Sequence, residues 1–348
     1  MSDVIVAPET RDLGELAGAL AQWLAARMPH AREVWITDLA YPRGAGQSHE
    51  TVLFEAHWRE QGEERQQGCV VRIKPGGFTV FPDDLFVQQY RVMKALAEGG
   101  EVRVARPLWF EENPALLGNP FFVMERKTGR VPVSIPPYAR EGWLKDATPA
   151  QRRVLWRNAV EQLAAVQRVP LDGFDFLAGP NGERGLAQEW DKYTRFARWL
   201  QQVEPLPILD AALERLRGLW PGNQPEGLVW GDARIGNMMF DGNFDVVAVM
   251  DWEQPSLGGA LHDLAWFCVI ADTMHGPAST YGAPLEGMGS REETVALWEH
   301  LAGKSAADLE WYEDFAKFKM TCTGIRLGHL RGAPMMDEAT MAKRLKVG

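Results

Sequence analysis

The spacing of apolar residues along the chain changes character twice. Leu13, Leu16, Leu20, Trp23 and Leu24 recur at helical intervals and predict a helix over residues 11–28, capped by Thr10 and ended by Pro29. From residue 34 the period drops to two: Val34-Trp35-Ile36, then Val52, Phe54, Ala56 and Trp58 on one face, then Cys69 to Ile73. These read as strands, with the polar stretch 59–68 as the loop joining the last two. Residues 85–97 predict a second helix and residues 121–124 another strand. Beyond Gly129 the pattern is helical, over 152–166, 186–203, 208–219, 263–274, 291–301 and 306–330. One interruption stands out, where apolar Met238-Met239-Phe240, the turn signal Asp241-Gly242-Asn243 and the apolar run up to Met250 predict an antiparallel hairpin. The expected fold is α+β with two lobes. Residues 1–125 form a small lobe with a leading helix, an antiparallel sheet and a glycine loop, and residues 126–348 form a larger helical lobe that carries the hairpin.

The hairpin matters for its flanks. Gly231-Asp232 and Asn237 precede it, and Asp251-Trp252-Glu253 follows. With the turn centred near Gly242, antiparallel pairing places position 251 opposite roughly 233, which brings Asp251 beside the loop that holds Asp232 and Asn237. Phosphoryl transfer needs this set of one base and two metal-holding oxygens. Mg²⁺ takes one or two protein oxygens and leaves its other positions to phosphates and water. Asn237 and Asp251 would supply the two, leaving Asp232 to accept a proton from an attacking hydroxyl.

The runs Leu228-Val229-Trp230-Gly231-Asp232 to Asn237, Val249-Met250-Asp251-Trp252-Glu253 and Asp263-Leu264-Ala265-Trp266 resemble the aminoglycoside phosphotransferase family. They are most similar to the branch that includes kinase-like domains fused to some acyl-CoA dehydrogenases. The resemblance extends upstream through Gly44 to Thr51, Val70-Val71-Arg72, Tyr90 to Leu96 and Phe121 to Glu125, in the family's order. It implies a protein-kinase-like fold that binds ATP or GTP with magnesium in the cleft between lobes. It also implies transfer of the terminal phosphate to a hydroxyl of a small molecule.

Candidate binding residues follow. Gly44-Ala45-Gly46 lies between strands, which rules out a dinucleotide fingerprint and suits a lid over phosphates, with Gly46 and the Ser48 hydroxyl facing them. Arg72 matches the family's phosphate-contacting base, and Lys74, two residues on, shares its strand face. Met124 and Glu125 fall where the lobes join, facing the adenine. Arg234 and Glu253 flank the catalytic set and could meet the acceptor. Trp190 begins a helical series with Tyr193, Phe196 and Trp199 that reads either as core packing or as a ligand platform. Three positions depart from the family. Gln89 stands where a helix glutamate braces the basic residue, Trp230 where a histidine precedes the glycine, and Gln167 where a histidine often closes a helix. The first two support an alternative, a nucleotide-binding pseudokinase without turnover. A two-metal phosphohydrolase lacks the further carboxylate and histidine ligands it would want. Asp263 is expected to bond the catalytic loop's backbone.

Composition narrows the remaining choices. At 348 residues, 46% hydrophobic, the chain can bury a large core. Its net charge of −10 argues against nucleic acid as a partner. Three scattered cysteines, Cys69, Cys268 and Cys322, indicate neither a disulfide framework nor a zinc site. No apolar run approaches a membrane span. A cytoplasmic protein, monomer or homodimer, is the expectation.

Overall fold

The computed structural model describes residues 11–42, 50–77, 79–277, 279, 281, 284–333 and 336–348. Thr10, Gly46 and Ser48 lie outside these residues. The leading helix α1 (Leu13–Arg27) is capped by Asp12, whose carboxylate accepts from the N–H groups of Gly14 and Glu15. Its apolar stripe covers one face of a five-stranded antiparallel sheet built from β1 (Arg32–Ala40), β2 (Glu50–Glu60), β3 (Glu63–Ile73), β4 (Pro107–Glu111) and β5 (Phe121–Glu125). The spatial order is β1-β2-β3-β5-β4. Stretch 59–68 is not a loop: β2 and β3 continue through it to a two-residue turn, with Glu60 paired to Glu63. Gln61 and Gly62 take positive φ there, the backbone that such tight turns require. Both faces of that projecting ribbon meet solvent, so its residues carry no apolar alternation. β4 escaped the sequence reading.

The sheet's two faces serve different cores. Val52, Phe54, Ala56, Cys69, Val71, Ile73, Phe121 and Val123 pack with Leu16, Leu20, Trp23 and Leu24 of α1. Phe122 points the other way, against Phe86 and Tyr90 of helix α2 (Phe86–Gly99). From there one continuous core runs through the helical part. The sequence boundary after residue 125 is thus bridged by packing.

The chain crosses into the helical part through Arg126 to Gly129. A Cβ on Gly129 would lie 2.7 Å from Phe240 O, and Arg130 pairs with Phe240. Only glycine lets the crossing run so close to the hairpin. After a single turn, α3 (Trp143–Asp146), helix α4 (Pro149–Arg168) opens on a capping box of Thr148 with Gln151. Helices α5 (Leu186–Leu200) and α6 (Pro207–Gly218) precede the hairpin of β6 (Met238–Phe240) and β7 (Val246–Val249). Helices α7 (Leu261–His275), α8 (Arg291–Ala302), α9 (Leu309–Arg331) and α10 (Glu338–Leu345) complete the lobe. Among the described residues no helix is long and apolar enough to cross a membrane.

Candidate active site

The hairpin register decides the site. Met238 pairs with Val249 and Met239 with Ala248, so the ladder extrapolates position 251 to a place opposite 236 rather than 233. The shift arises in the turn, where Asp241 accepts from the N–H groups of Asn243 and Asp245 and lengthens the loop. The N–H of Met250 donates to Asn237 O at 2.9 Å. Asp251 follows in the left-handed region, φ 65°, one residue past that bond to Asn237.

The loop bearing Asp232 is held by buried bonds. Asp263, in the first turn of α7, accepts from the N–H of Trp230 at 2.6 Å and of Gly231 at 2.9 Å, as expected from sequence. Burial pushes its carboxyl up to about 6, against which these two donors act. Gly231 has φ +102°, and a Cβ there would lie 2.7 Å from Gln254 O. Trp230 is fully buried and donates its indole N–H to Met250 O at 2.7 Å. Gln167 donates to Leu228 O at 2.9 Å. Both residues at the missing histidines therefore brace the loop. The segment after Glu253 is clamped in turn. Ser256 donates to Glu189, which also accepts from Lys319 at 2.7 Å, and Lys192 reaches Gln254 O. Glu189 is buried, and the two ammoniums hold its carboxyl far below the usual range despite that burial.

Asp232 sits at the centre. Its Oδ2 accepts from Arg234 Nε at 2.9 Å and from Asn237 Nδ2 at 2.6 Å, while Oδ1 accepts from Trp266 Nε1 at 2.8 Å. Asn237 Nδ2 also donates to Asp232 O at 3.0 Å. Facing two oxygens fixes the amide's orientation and turns its own oxygen away from Asp232. Arg234 donates onward to Ser134 Oγ at 2.6 Å. Burial opposes its charge, but Asp232 beside it holds its pKa above the usual value.

The sheet contributes Arg72, whose guanidinium lies 2.9 Å from Glu253 and 3.9 Å from Asp251. Asp251 has its pKa raised well above the ordinary carboxylate value by desolvation first and by neighbouring Glu253 next. Three carboxylates, Asp232, Asp251 and Glu253, thus crowd two guanidiniums. A divalent cation at Asn237 and Asp251 would relieve that crowding, so the residues present fit one. Among the described residues no group of three or more His, Cys, Asp or Glu forms a metal cage. A site of one Asp and one Asn completed by phosphates is the arrangement Mg²⁺ favours.

Other expected residues fall elsewhere. Lys74, one residue past the end of β3, pairs with Asp84 rather than with the carboxylates near Arg72. Trp190 packs against Trp220, Trp311 and Phe315, with ring centroids 5.1 to 6.4 Å apart, in the α5–α9 core. These ring contacts are those of core packing. Met124 and Glu125 do end the sheet at the crossing, but the N–H of Glu125 donates to Arg106 O and that of Arg126 to Gly68 O. The N–H groups of Glu125 and Arg126 are therefore already taken within the small lobe. Gln89 is fully buried, and its amide has no hydrogen-bond partner among the described residues. Sequence reasoning missed Trp266 and Ser134 as neighbours of the base. For Trp266 a signal existed, since it lies three residues after Asp263 and so on the same face of α7.

A sequence profile of the phosphotransferase enzyme family matches residues 42–303. The Arabidopsis thaliana protein named probable acyl-CoA dehydrogenase IBR3 is 28% identical over 79% of this chain and 34% of its own length. Human acyl-CoA dehydrogenase family member 11 is 26% identical over 85% of this chain and 36% of its own. The chain spans about a third of the length of these relatives. Among solved structures, a Ralstonia eutropha JMP134 protein assigned to the aminoglycoside phosphotransferases superposes with TM-score 0.65 at 24% identity, covering 94% of both chains. An aminoglycoside phosphotransferase, APH(4)-Ia, in a ternary complex with ADP and hygromycin B gives 0.57 at 16% identity, covering 94% of this chain and 97% of that one. A macrolide 2'-phosphotransferase type I gives 0.59 at 17% identity, covering 99% and 98%.

Proposed function

Because the chain belongs to the phosphotransferase enzyme family, we propose that it moves the terminal phosphate of ATP or GTP to a hydroxyl of a small molecule. Asp232 is the base, and Asn237 and Asp251 hold the magnesium. The observation that carries this reading is the contact of Asn237 with both Asp232 and the strand leading to Asp251. It ties the proposed base to one proposed metal ligand and to the residue preceding the other, which supports the reading. The bound ADP of the solved APH(4)-Ia structure supports the nucleotide.

Asp232 takes the hydroxyl proton as that oxygen bonds to the terminal phosphorus and the bond to the nucleoside diphosphate breaks. Bound magnesium would neutralise charge on the phosphates. Arg72, now facing Glu253 and Asp251, has the fork to take phosphate oxygens instead. The protein's share is positioning and charge. The test is a screen of hydroxylated compounds for acceptor-dependent ADP or GDP formation. Asp232→Asn should lower turnover by about 10³-fold while calorimetry shows nucleotide binding retained. Acceptor-stimulated turnover at wild-type rate in that variant would overturn the reading.

A further inference from the structure

The carboxylate of Asp232 has four in-plane acceptor positions, two on each oxygen. Oδ2 fills both of its own with Arg234 and Asn237. Oδ1 fills one with the Trp266 indole. No other polar group of the described residues donates to this side chain, and it remains 31% exposed. One acceptor position is left, on Oδ1 beside the edge of the Trp266 ring.

We propose that Trp266 is the positioning residue of this enzyme, aiming the single open acceptor site of Asp232 so that the substrate hydroxyl delivers its proton to Oδ1 along the Trp266 edge. The inference rests on Asp232 being the base and adds which oxygen acts and what aims it. Two features make Trp266 suited to the task. It rises from the helix that also carries Asp263, so the loop backbone and the carboxylate are set by one rigid element. Its indole has one donor and no acceptor, so it can bind the carboxylate but cannot itself compete for the proton. Without that bond Asp232 could rotate about χ2 around its Oδ2 contacts and present Oδ1 at the wrong angle. The step balances: the proton passes from the acceptor oxygen to Oδ1, that oxygen bonds to phosphorus, and the departing diphosphate oxygen keeps the electron pair of the broken bond.

Two readouts test this on the full chain. In the first, ADP formation from MgATP is measured with water as the acceptor and with any hydroxyl compound found by the screen. Trp266→Phe keeps the ring and removes the donor, and kcat should fall roughly 10- to 100-fold with KM for MgATP within twofold. Trp266→His restores a ring N–H and should recover part of the loss. An unchanged kcat, or a loss that lies in the KM for MgATP, overturns the proposal. In the second, the Nε1–H signal of Trp266 is followed in ¹⁵N-tryptophan-labelled protein without nucleotide, assigned by its absence from Trp266→Phe. It should move upfield in Asp232→Asn, where the acceptor loses its charge. A signal that stays in place shows that the bond is not made in solution, and sinks the claim even if no turnover can be measured. Asp232→Asn separates the two levels of inference. If that variant turns over normally, the base assignment is wrong. If it is inactive while Trp266→Phe is normal, only the positioning role fails.

Discussion

The catalytic loop and the sheet-borne corner meet at one site but are secured in opposite ways. The loop and its flanks are held from behind by buried groups: Asp263 at Trp230 and Gly231, the Trp230 indole at Met250, Gln167 at Leu228, and the Glu189 clamp at Gln254 and Ser256. Arg72 reaches across from β3 to carboxylates that are themselves proposed to serve the metal and its surroundings. The proposed base is thus preorganised, whereas the proposed role of the Arg72 guanidinium is to exchange carboxylate for phosphate. On the proposed function, preorganisation lies at the proton-accepting carboxylate and adjustability at the phosphate-facing guanidinium.

The comparison can be broken most forcefully at Glu189. Glu189→Ala leaves two ammoniums buried beside Ser256, and should cost about 3–5 kcal/mol of stability, read as a fall in the urea midpoint. A change below about 1 kcal/mol would mean that the clamp is not what holds the segment. Next in size is acid. Burial depresses His262 to about 3 and His275 to about 4, so the unfolded chain binds protons first. Their neutral forms contribute stability above about pH 6.5 that is lost as the pH falls through the folded values. The whole effect is of order 3 kcal/mol or more for each histidine. Asp263 acts with the opposite sign, because its raised value lets the folded chain take up a proton earlier as pH drops below about 6. The net expectation is a melting temperature that falls steadily between pH 6 and 4, with a shallower slope in His262→Phe. A slope equal to wild type in that variant would remove His262 from the account.

A smaller effect sharpens the other half of the comparison. Arg72→Met should raise KM for MgATP roughly 10-fold and, because Arg72 and Glu253 are only 12% and 9% exposed, should also lower the urea midpoint, by less than Glu189→Ala does. Lys74→Met, whose partner is Asp84, should change KM by less than about twofold. If the two variants behave alike, position along the strand did not separate their roles.

Much of this was legible without coordinates. Helices α4 and α8 were legible over 152–166 and 291–301 from their residue pattern, while the capping boxes that start them, Thr148 with Gln151 and Ser290 with Glu293, are found in the structure. The Asp232, Asn237 and Asp251 set could be read from spacing because a hairpin must return the chain to its start. The register could not, because a lengthened turn at Asp241 shifts pairing by three positions while leaving the apolar pattern unchanged. The β2–β3 ribbon was misread as a loop for a similar reason: strands solvated on both faces bury nothing, so their sequence shows no alternation. Trp190 and Trp266 are chemically identical, and only the packing of α5 and α7 sends one into the core and the other to the carboxylate.

Local chemistry along the chain therefore determined the elements, their order, the glycines that close contacts demand and the oxygen-bearing side chains available for phosphate chemistry. Tertiary structure decided which of those side chains meet. Periodicity encodes which face of an element is buried, but the partner across the gap is chosen by the packing of elements distant in sequence. The Asp232 to Trp266 bond and the Arg72 to Glu253 pair, 34 and 181 residues apart, are of this second kind.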